Sequence, residues 1–307
     1  MVRKFTPDDA QAFYQMARQF HSSDAVIHQT PDQNFRDTFR EIMNGSPSLE
    51  GYIIEKDGVI AGYSLVLLTY SNEVGGLLAN WDEIFIKPEF RGQGLGSGFL
   101  ALMEKEYQGK AKLYRMEVEK ENDRAIALYK RMGYRMLDYR QATKASRDTV
   151  PDPAPTPHIR PFSPGDQEDF FHLAQQFHAS GLIDTPAPPS HFRDTFQTVI
   201  SHGPHQDGFM ICKDGKNVGY ALVGFFYANE AGGMQSNLDE MFILPPYRGQ
   251  GLGKEFLRFF ERNYHDRVIV YRIEVCDSQT RLIDSLSRRG YDLLEYWQMI
   301  KSPESAR

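Results

Sequence analysis

The segment Arg91-Gly92-Gln93-Gly94-Leu95-Gly96 has the residue types that hold an anion. Glycines let backbone amides approach a ligand with no side chain in the way. A helix beginning behind them adds unpaired N–H groups and the positive end of its dipole. The fitting guest is a phosphate or pyrophosphate. The same six letters return as Arg248-Gly249-Gln250-Gly251-Leu252-Gly253, 157 residues later. Neither copy spells a P-loop: ahead of Gly253-Lys254 the first glycine is replaced by Arg248, and the hydroxyl residue by Glu255. Neither spells the dinucleotide fingerprint, which needs glycine where Ser97 and Lys254 stand. What fits is Arg-x-x-Gly-x-Gly.

The elements that position these loops also come twice. At the same offset, Phe35-Arg36-Asp37-Thr38-Phe39 returns as Phe192-Arg193-Asp194-Thr195-Phe196, and Asn72-Glu73 as Asn229-Glu230. Gly75-Gly76 returns as Gly232-Gly233, and Asp82-Glu83 as Asp239-Glu240. The chain is a tandem duplication: one domain over 1–145, a linker over 146–157 and a second domain over 158–307. Pro151, Pro153, Pro155 and Pro157 make the linker extended and semi-rigid. Hydrophobic periodicity and turn residues predict, in copy one, a strand over 2–5 and helices over 8–20 and 31–43. A hairpin at Lys56-Asp57-Gly58 joins strands over 52–55 and 59–70, and a further strand spans 77–86. A helix over 94–107, a strand over 113–118, a helix from the Asn122 cap to Met132 and a final strand over 134–143 complete the copy. The order β-α-α-β-β-β-α-β-α-β gives an α/β fold on a mixed sheet.

Composition narrows the class. Net charge is −6, which speaks against a nucleic-acid surface and mildly favours a cationic small molecule. No apolar run is long enough to span a bilayer, and Met1 to Phe5 is not followed by a signal-peptide core. The only cysteines, Cys212 and Cys276, form no framework, so a reduced, cytoplasmic protein is expected, without membrane or nucleic-acid partners.

Arg-x-x-Gly-x-Gly resembles the acetyl-CoA signature of the GNAT superfamily of acyl-CoA N-acyltransferases. The resemblance extends over Asp82 to Phe90 before the loop. It also takes in the strand from Leu113 to Val118 and the run Asn122 to Tyr134, similar to that family's Asn-xx-Ala-xxx-Tyr-xxx-Gly-Phe/Tyr block. It implies a splayed sheet whose fourth strand diverges from the fifth, with acetyl-CoA in the gap. The pyrophosphate would lie on the amides of Gln93 to Gly96 and the pantetheine along Ile84, Phe85 and Ile86, with Asn122 beside them. The loop Arg248 to Gly253 would hold CoA in the second copy in the same way, with a structural role for that copy as the alternative. No metal is implied.

Acetyl transfer to an amine needs a deprotonated amine, a stabilised carbonyl oxygen and a protonated leaving thiolate. By the resemblance, Tyr129 faces the CoA sulfur; a core aromatic on the stripe of Ala125, Leu128 and Met132 is the plainer role. Glu117, placed like the base of ribosomal-protein N-terminal acetylases, is the first candidate for the amine proton, and a solvated strand face is the alternative. Glu83 and then Asp82 follow. Strand alternation sends those two to opposite faces, so at most one should face the acceptor. Phe35, Asn72, Glu73 and Asn80 lie toward the acceptor side, where a shared structural brace explains them as well as a binding role. His21 and His178 are expected to cap or fill. In copy two, Asn122 becomes Gln279, Ala125 becomes Leu282 and Tyr129 becomes Leu286. Copy one is therefore expected to be the catalyst, transferring acetyl from acetyl-CoA to a small-molecule or peptide primary amine. A tandem acyltransferase similar to mycothiol synthase and a non-enzymatic acyl-CoA sensor are the alternatives.

Overall fold

The computed structural model describes residues 1–23, 30–137, 139–181, 187–294 and 296–303. Copy one contains β1 (Val2–Lys4), α1 (Ala10–His21), α2 (Asp32–Met43), β2 (Leu49–Lys56), β3 (Val59–Ser71) and β4 (Gly76–Ile86). It continues with α3 (Leu95–Glu106), β5 (Leu113–Glu119), α4 (Asp123–Arg131), β6 (Arg135–Leu137) and β7 (Tyr139–Ala145). Copy two repeats this as β8 (Ile159–Pro161), α5 (Gln167–His178), α6 (Pro189–Ile200), β9 (Gln206–Lys213), β10 (Lys216–Ala228) and β11 (Gly233–Ile243). Then come α7 (Leu252–Tyr264), β12 (Val270–Cys276), α8 (Thr280–Ser287), β13 (Asp292–Leu293) and β14 (Tyr296–Lys301). The alternating strands and the helices on each face make two mixed α/β units.

The two copies exchange their last strands. One sheet runs β1-β2-β3-β4-β5-β14-β6 and the other β13-β7-β12-β11-β10-β9-β8. Strand β14, from the end of the chain, thus pairs antiparallel with β5 of copy one, with Gln298 opposite Glu117. Strand β7 pairs with β12 of copy two, with Gln141 opposite Glu274. The single final strand expected over 134–143 is therefore two strands in two different sheets. Alternation and turn residues fix that a strand exists, but both copies offer nearly the same free edge, and nothing local says which edge is taken.

Two features open each sheet. Strand β4 pairs in parallel with β5 only from Leu78 to Asn80, and β11 with β12 only from Gln235 to Leu238. Beyond those points the strands separate, which is the splay the resemblance implies. Each fourth strand also carries a bulge. Glu83 lies opposite Leu65 and Trp81 opposite Val66, so Asp82 has no partner on β3. Asp239 is bulged in the same way between Leu238 and Glu240. A bulged residue resets the two-residue alternation. The expectation that Asp82 and Glu83 face opposite sides therefore fails: both line one cavity.

The repeated Phe-Arg-Asp-Thr-Phe motif builds the core. Phe35, Thr38 and Phe39 form the buried face of α2, packed with Phe13, Met16 and Ala17 of α1. The same core receives Phe226, Tyr227 and Ala228 from β10 of copy two, so the copies share apolar interior. The repeated Gly-Gly marks close approach. Gly75 adopts φ +60°, and a Cβ there would lie 2.5 Å from the His191 ring. Gly232 adopts φ +73°, and a Cβ there would lie 2.4 Å from Asn34. Only glycine suits that conformation at that distance. The Asn34 amide donates to the Glu230 carbonyl at 2.9 Å, and the His191 ring meets the Glu73 carbonyl at 2.9 Å. Half of the Asn-Glu-x-Gly-Gly repeat is thus a brace between copies.

Candidate active site

The glycine loops have the shape of an anion cradle. Gly94 at φ +78° and Gly251 at φ +89° are the N-caps of α3 and α7, and neither cap is closed by a side chain. Around Gly92, Gly96 and Gly249 a Cβ would meet open space. Arg91 and Arg248 turn back toward the sheet, each donating Nε–H to a strand carbonyl, of Ile86 at 3.0 Å and Ile243 at 2.8 Å. They brace the loop to the fourth strand, while the Gln93 and Gln250 side chains accept from Lys56 and Lys213. Ile84, Phe85 and Ile86 lie past the last β4–β5 pair, so their backbone on that side is not used by β5. These features fit an acyl-CoA: a diphosphate on open helix-end amides and an extended chain against an unpaired strand.

Behind the splay lies a cavity of about 180 Å³ lined by Asp82, Glu83, Glu117 and Tyr129 of copy one. Copy two completes it with Glu230, Arg272 and Tyr296, the last on the exchanged strand. The carboxyl groups differ in their partners. Glu83 is buried and accepts from Tyr63 Oη at 2.6 Å and from Asn229 Nδ2 of the other copy at 2.8 Å, and it pairs with His21 Nε2 at 2.9 Å. His21 Nδ1 in turn meets the Thr30 hydroxyl at 2.8 Å. Glu117 accepts from Arg272 Nη1 at 3.0 Å and from Gln141 Nε2 at 2.8 Å, both reaching over from the other sheet. Burial alone would raise its pKa, but Arg272, Gln141 and Arg115 more than offset this and hold it below the usual glutamate range.

Asp82 is the group left open. The bulge turns it into the cavity, where it keeps contact with solvent. Desolvation by the surrounding protein, then the charges of Glu83 and Glu117, push its carboxyl well above the ordinary aspartate range. Glu230, at the rim, is also raised, first by desolvation. Tyr129 is half-buried on α4, and burial raises its phenol above the ordinary tyrosine value. Its helix starts at Asn122, whose Oδ1 accepts from the Ala125 amide at 3.1 Å.

The other site residues expected from sequence separate. Asn80 lines the same cavity, accepting from Arg115 Nε at 2.6 Å and donating to Thr69 Oγ1 at 3.3 Å. Phe35 does not reach it; it lies in the core against the His21 ring, with centroids 5.1 Å apart. Asn72 and Glu73 line the corresponding cavity of copy two, which measures about 110 Å³. There Asn72 Nδ2 donates to Glu240 at 3.0 and 3.1 Å, Tyr220 donates to Glu240 at 2.6 Å and His178 Nε2 lies 3.3 Å away. Since the Ala187 amide donates to His178 Nδ1 at 3.2 Å, Nε2 carries the proton. Leu286, at the place of Tyr129, is core. Glu230, Arg272 and Tyr296 escape a reading that treats each copy separately, and His21, expected to cap or fill, pairs with Glu83 and lines the cavity. The recurrence of Asn-Glu was the available signal, but it points to the opposite copy.

This architecture defines a tandem acyltransferase fold, two splayed α/β sheets each with a glycine-rich helix start. The Acetyltransferase (GNAT) family profile matches residues 10–134 and 169–291, and the chain belongs to that family. Over 99 residues it is 33% identical to a Bacillus subtilis (strain 168) protein provisionally named a [ribosomal protein bS18]-alanine N-acetyltransferase. That match covers 32% of this chain and 62% of the relative. Among solved structures, the fold is similar to a tandem GNAT protein from the clavulanic acid biosynthesis pathway, with a TM-score of 0.53 and 14% identity over 99% of this chain and 98% of the other. It is also similar to a GCN5-related N-acetyltransferase from Sphaerobacter thermophilus, with a TM-score of 0.57 and 20% identity over 99% and 95%. No helix among the described residues is long and apolar enough to cross a membrane.

Proposed function

We propose that copy one transfers an acetyl group from acetyl-CoA to the primary amine of a small molecule or peptide, by direct attack and without a covalent enzyme intermediate. The observation that carries this is one cavity beside the splay that holds both a half-buried phenol, Tyr129, and an accessible carboxyl, Asp82, turned in by the β4 bulge. The loop from Arg91 to Gly96, with Ile84 to Ile86 and Asn122, holds the donor, which when bound supplies the thioester carbonyl.

Asp82 takes the first proton from the incoming ammonium. Its position supports this: the β4 bulge turns it into the cavity that Tyr129 also lines, open to solvent, where an incoming amine can reach it. Glu83 already accepts from Tyr63 and Asn229 and pairs with His21, so it fixes the cavity wall. Glu117, anchored by Arg272, does the same from β5. Tyr129 gives its proton to the departing sulfur and recovers one from the acylated nitrogen. The surrounding carboxylates favour an acceptor that arrives as a cation. Neither Cys212 nor Cys276 is in a disulfide, which fits a reducing, cytoplasmic setting.

The test is thiol release from acetyl-CoA with the full chain and an amine panel, run beside CoA calorimetry. Amine-dependent release is expected. CoA binding with no release for any amine would sink the proposal.

A further inference from the structure

Asp82 and its counterpart Asp239 stand at the same bulge of the fourth strand, yet their carboxylates are held differently. Asp82 is exposed in its cavity, and among the described residues no side chain donates a hydrogen bond to it. Asp239 is half-buried and accepts from two amides, Asn237 Nδ2 on its own strand and Gln206 Nε2 on β9 at 3.4 Å. The neighbours at matched positions account for the difference. Leu49 of β2 becomes Gln206, Leu67 of β3 becomes Gly224 and Thr69 becomes Phe226, each 157 residues on. Leu67 lies opposite Asn80 as Gly224 lies opposite Asn237, so the comparison is position for position. A Cβ on Gly224 would lie 2.9 Å from Asp239 Oδ2, so that carboxylate rests where a side chain would begin. Leu67 has the side chain; it is buried, lines the copy-one cavity and leaves Asp82 no such seat. Thr69 acts through Asn80. Arg115 Nε can only donate, so the Asn80 amide oxygen faces it at 2.6 Å, and the Asn80 NH2 is thereby directed to Thr69 Oγ1 at 3.3 Å. Phe226 offers no acceptor in copy two, and Asn237 has turned. Its NH2 meets Asp239, while its Oδ1 and Arg272 Nε, atoms whose counterparts bond each other in copy one, are both without a partner.

We infer that Thr69 and Leu67 are positioning residues of copy one: they keep the Asp82 carboxylate uncapped and turned to the incoming amine, and their replacement in copy two ties Asp239 down. The inference rests on the reading of Asp82 as the base. A carboxylate that accepts two amides is stabilised in its charged form and has fewer lone pairs for an ammonium proton. Copy two therefore lacks a free base as well as the phenol, and a phenol restored at Leu286 would not by itself make it an enzyme. Thr69 lines the opposite cavity and acts only through Asn80. The charged and titratable groups around Asp82 are Glu83 on β4, Glu117 on β5, Tyr129 on α4, His21 on α1, Arg272 on β12 and Glu230 after β10. All of them stay in place when Thr69 is replaced.

The experiment follows the Asp82 carboxyl itself, by carbon-13 NMR titration of the full chain labelled at aspartate, with Asp82→Asn assigning the signal. The same proteins are assayed for kcat/KM against pH with acetyl-CoA and the amine that releases most thiol. Thr69→Val removes the acceptor and Thr69→Ser keeps it. In Thr69→Val the freed Asn80 amide should turn to Asp82, move its titration down by about one pH unit and lower kcat/KM at neutral pH about three- to tenfold. Thr69→Ser should match wild type in both. Thermal unfolding verifies that each variant is folded, and Thr69→Ala reads the same position if Thr69→Val is not. The inference is overturned if Asp82 titrates as in wild type in the folded Thr69→Val or Thr69→Ala chain, or if Thr69→Ser moves it equally. A titration that moves without any change in the rate profile leaves the positioning standing and removes Asp82 as the base.

Discussion

Arg272 of copy two donates to Glu117 of copy one at 3.0 Å, and 157 residues earlier Arg115 donates to Glu274 at 2.9 Å in the opposite direction. The two ion pairs tie β5 to β12, the strands that form one wall of each cavity. Glu117 is therefore part of the joint between copies as well as of the cavity wall. Removing one member of a buried pair leaves an uncompensated charge and costs about 3–5 kcal/mol, whereas replacing both by apolar groups is often near neutral. Arg272 and Glu117 keep 11% and 29% side-chain exposure, so the cost here is smaller: Arg272→Met alone should destabilise by about 1.5–3 kcal/mol, and Arg272→Met with Glu117→Leu should recover most of it. Chemical denaturation of the three proteins checks this; equal stability of single and double variants would remove the pair from the joint.

Tyr129→Phe should lower kcat about 10²-fold or more, the usual contribution of a positioned acid, while the amine KM changes little. Leu286→Met, a volume-conserving change in the core of copy two, should leave turnover intact. Steady-state kinetics with acetyl-CoA decide. Equal rate losses in both variants would end the assignment of catalysis to copy one.

Asp82→Asn should depress kcat/KM at neutral pH about 10²-fold and abolish the acidic limb of its pH profile, because Asp82 must be ionised to accept a proton. The same substitution at Glu117 should act chiefly through stability. A profile unchanged in Asp82→Asn would return the base to Glu117 or to water.

Glu73 makes a prediction about stability, and its sign follows from linkage. Burial first, then the neighbouring Glu240 and Glu274, raises its carboxyl from 4.5 to about 7 on folding, so between those pH values the folded chain binds more protons than the unfolded one. Stability is then full below pH 4.5 and is lost as pH rises toward 7. Glu73→Gln should remove that loss. At pH 8 it should unfold a few degrees higher than wild type, from about 1–2 kcal/mol after discounting for solvent contact, and show little difference near pH 4. Differential scanning calorimetry at both pH values tests it, and an equal shift at pH 4 and pH 8 would contradict it.

Because β14 fills the place beside β5, a chain of residues 1–157 has an empty edge there and a spare strand, β7. Two such half-chains can satisfy each other by exchanging β7, the homodimeric counterpart of the tandem arrangement. Sedimentation should give a dimer. A stable monomer with a native-like spectrum would show that exchange is dispensable.

The sequence by itself determined the duplication, the mixed α/β units, the glycine cradles and the loss of the phenol at Leu286. These are local or repeated signals: helix starts, turns, alternation and exact motif recurrence. Tertiary structure alone decided that each cavity belongs to both copies. Asn229 binding Glu83, Arg272 binding Glu117 and β14 inserting beside β5 join residues more than a hundred positions apart. An internal repeat presents two equivalent partners for every such contact, and no local propensity distinguishes them. The Asp82 bulge hid for a related reason. One unpaired residue reverses the facing of a strand, and its cause lies in how β3 and β4 register, which alternation along a single strand does not reveal.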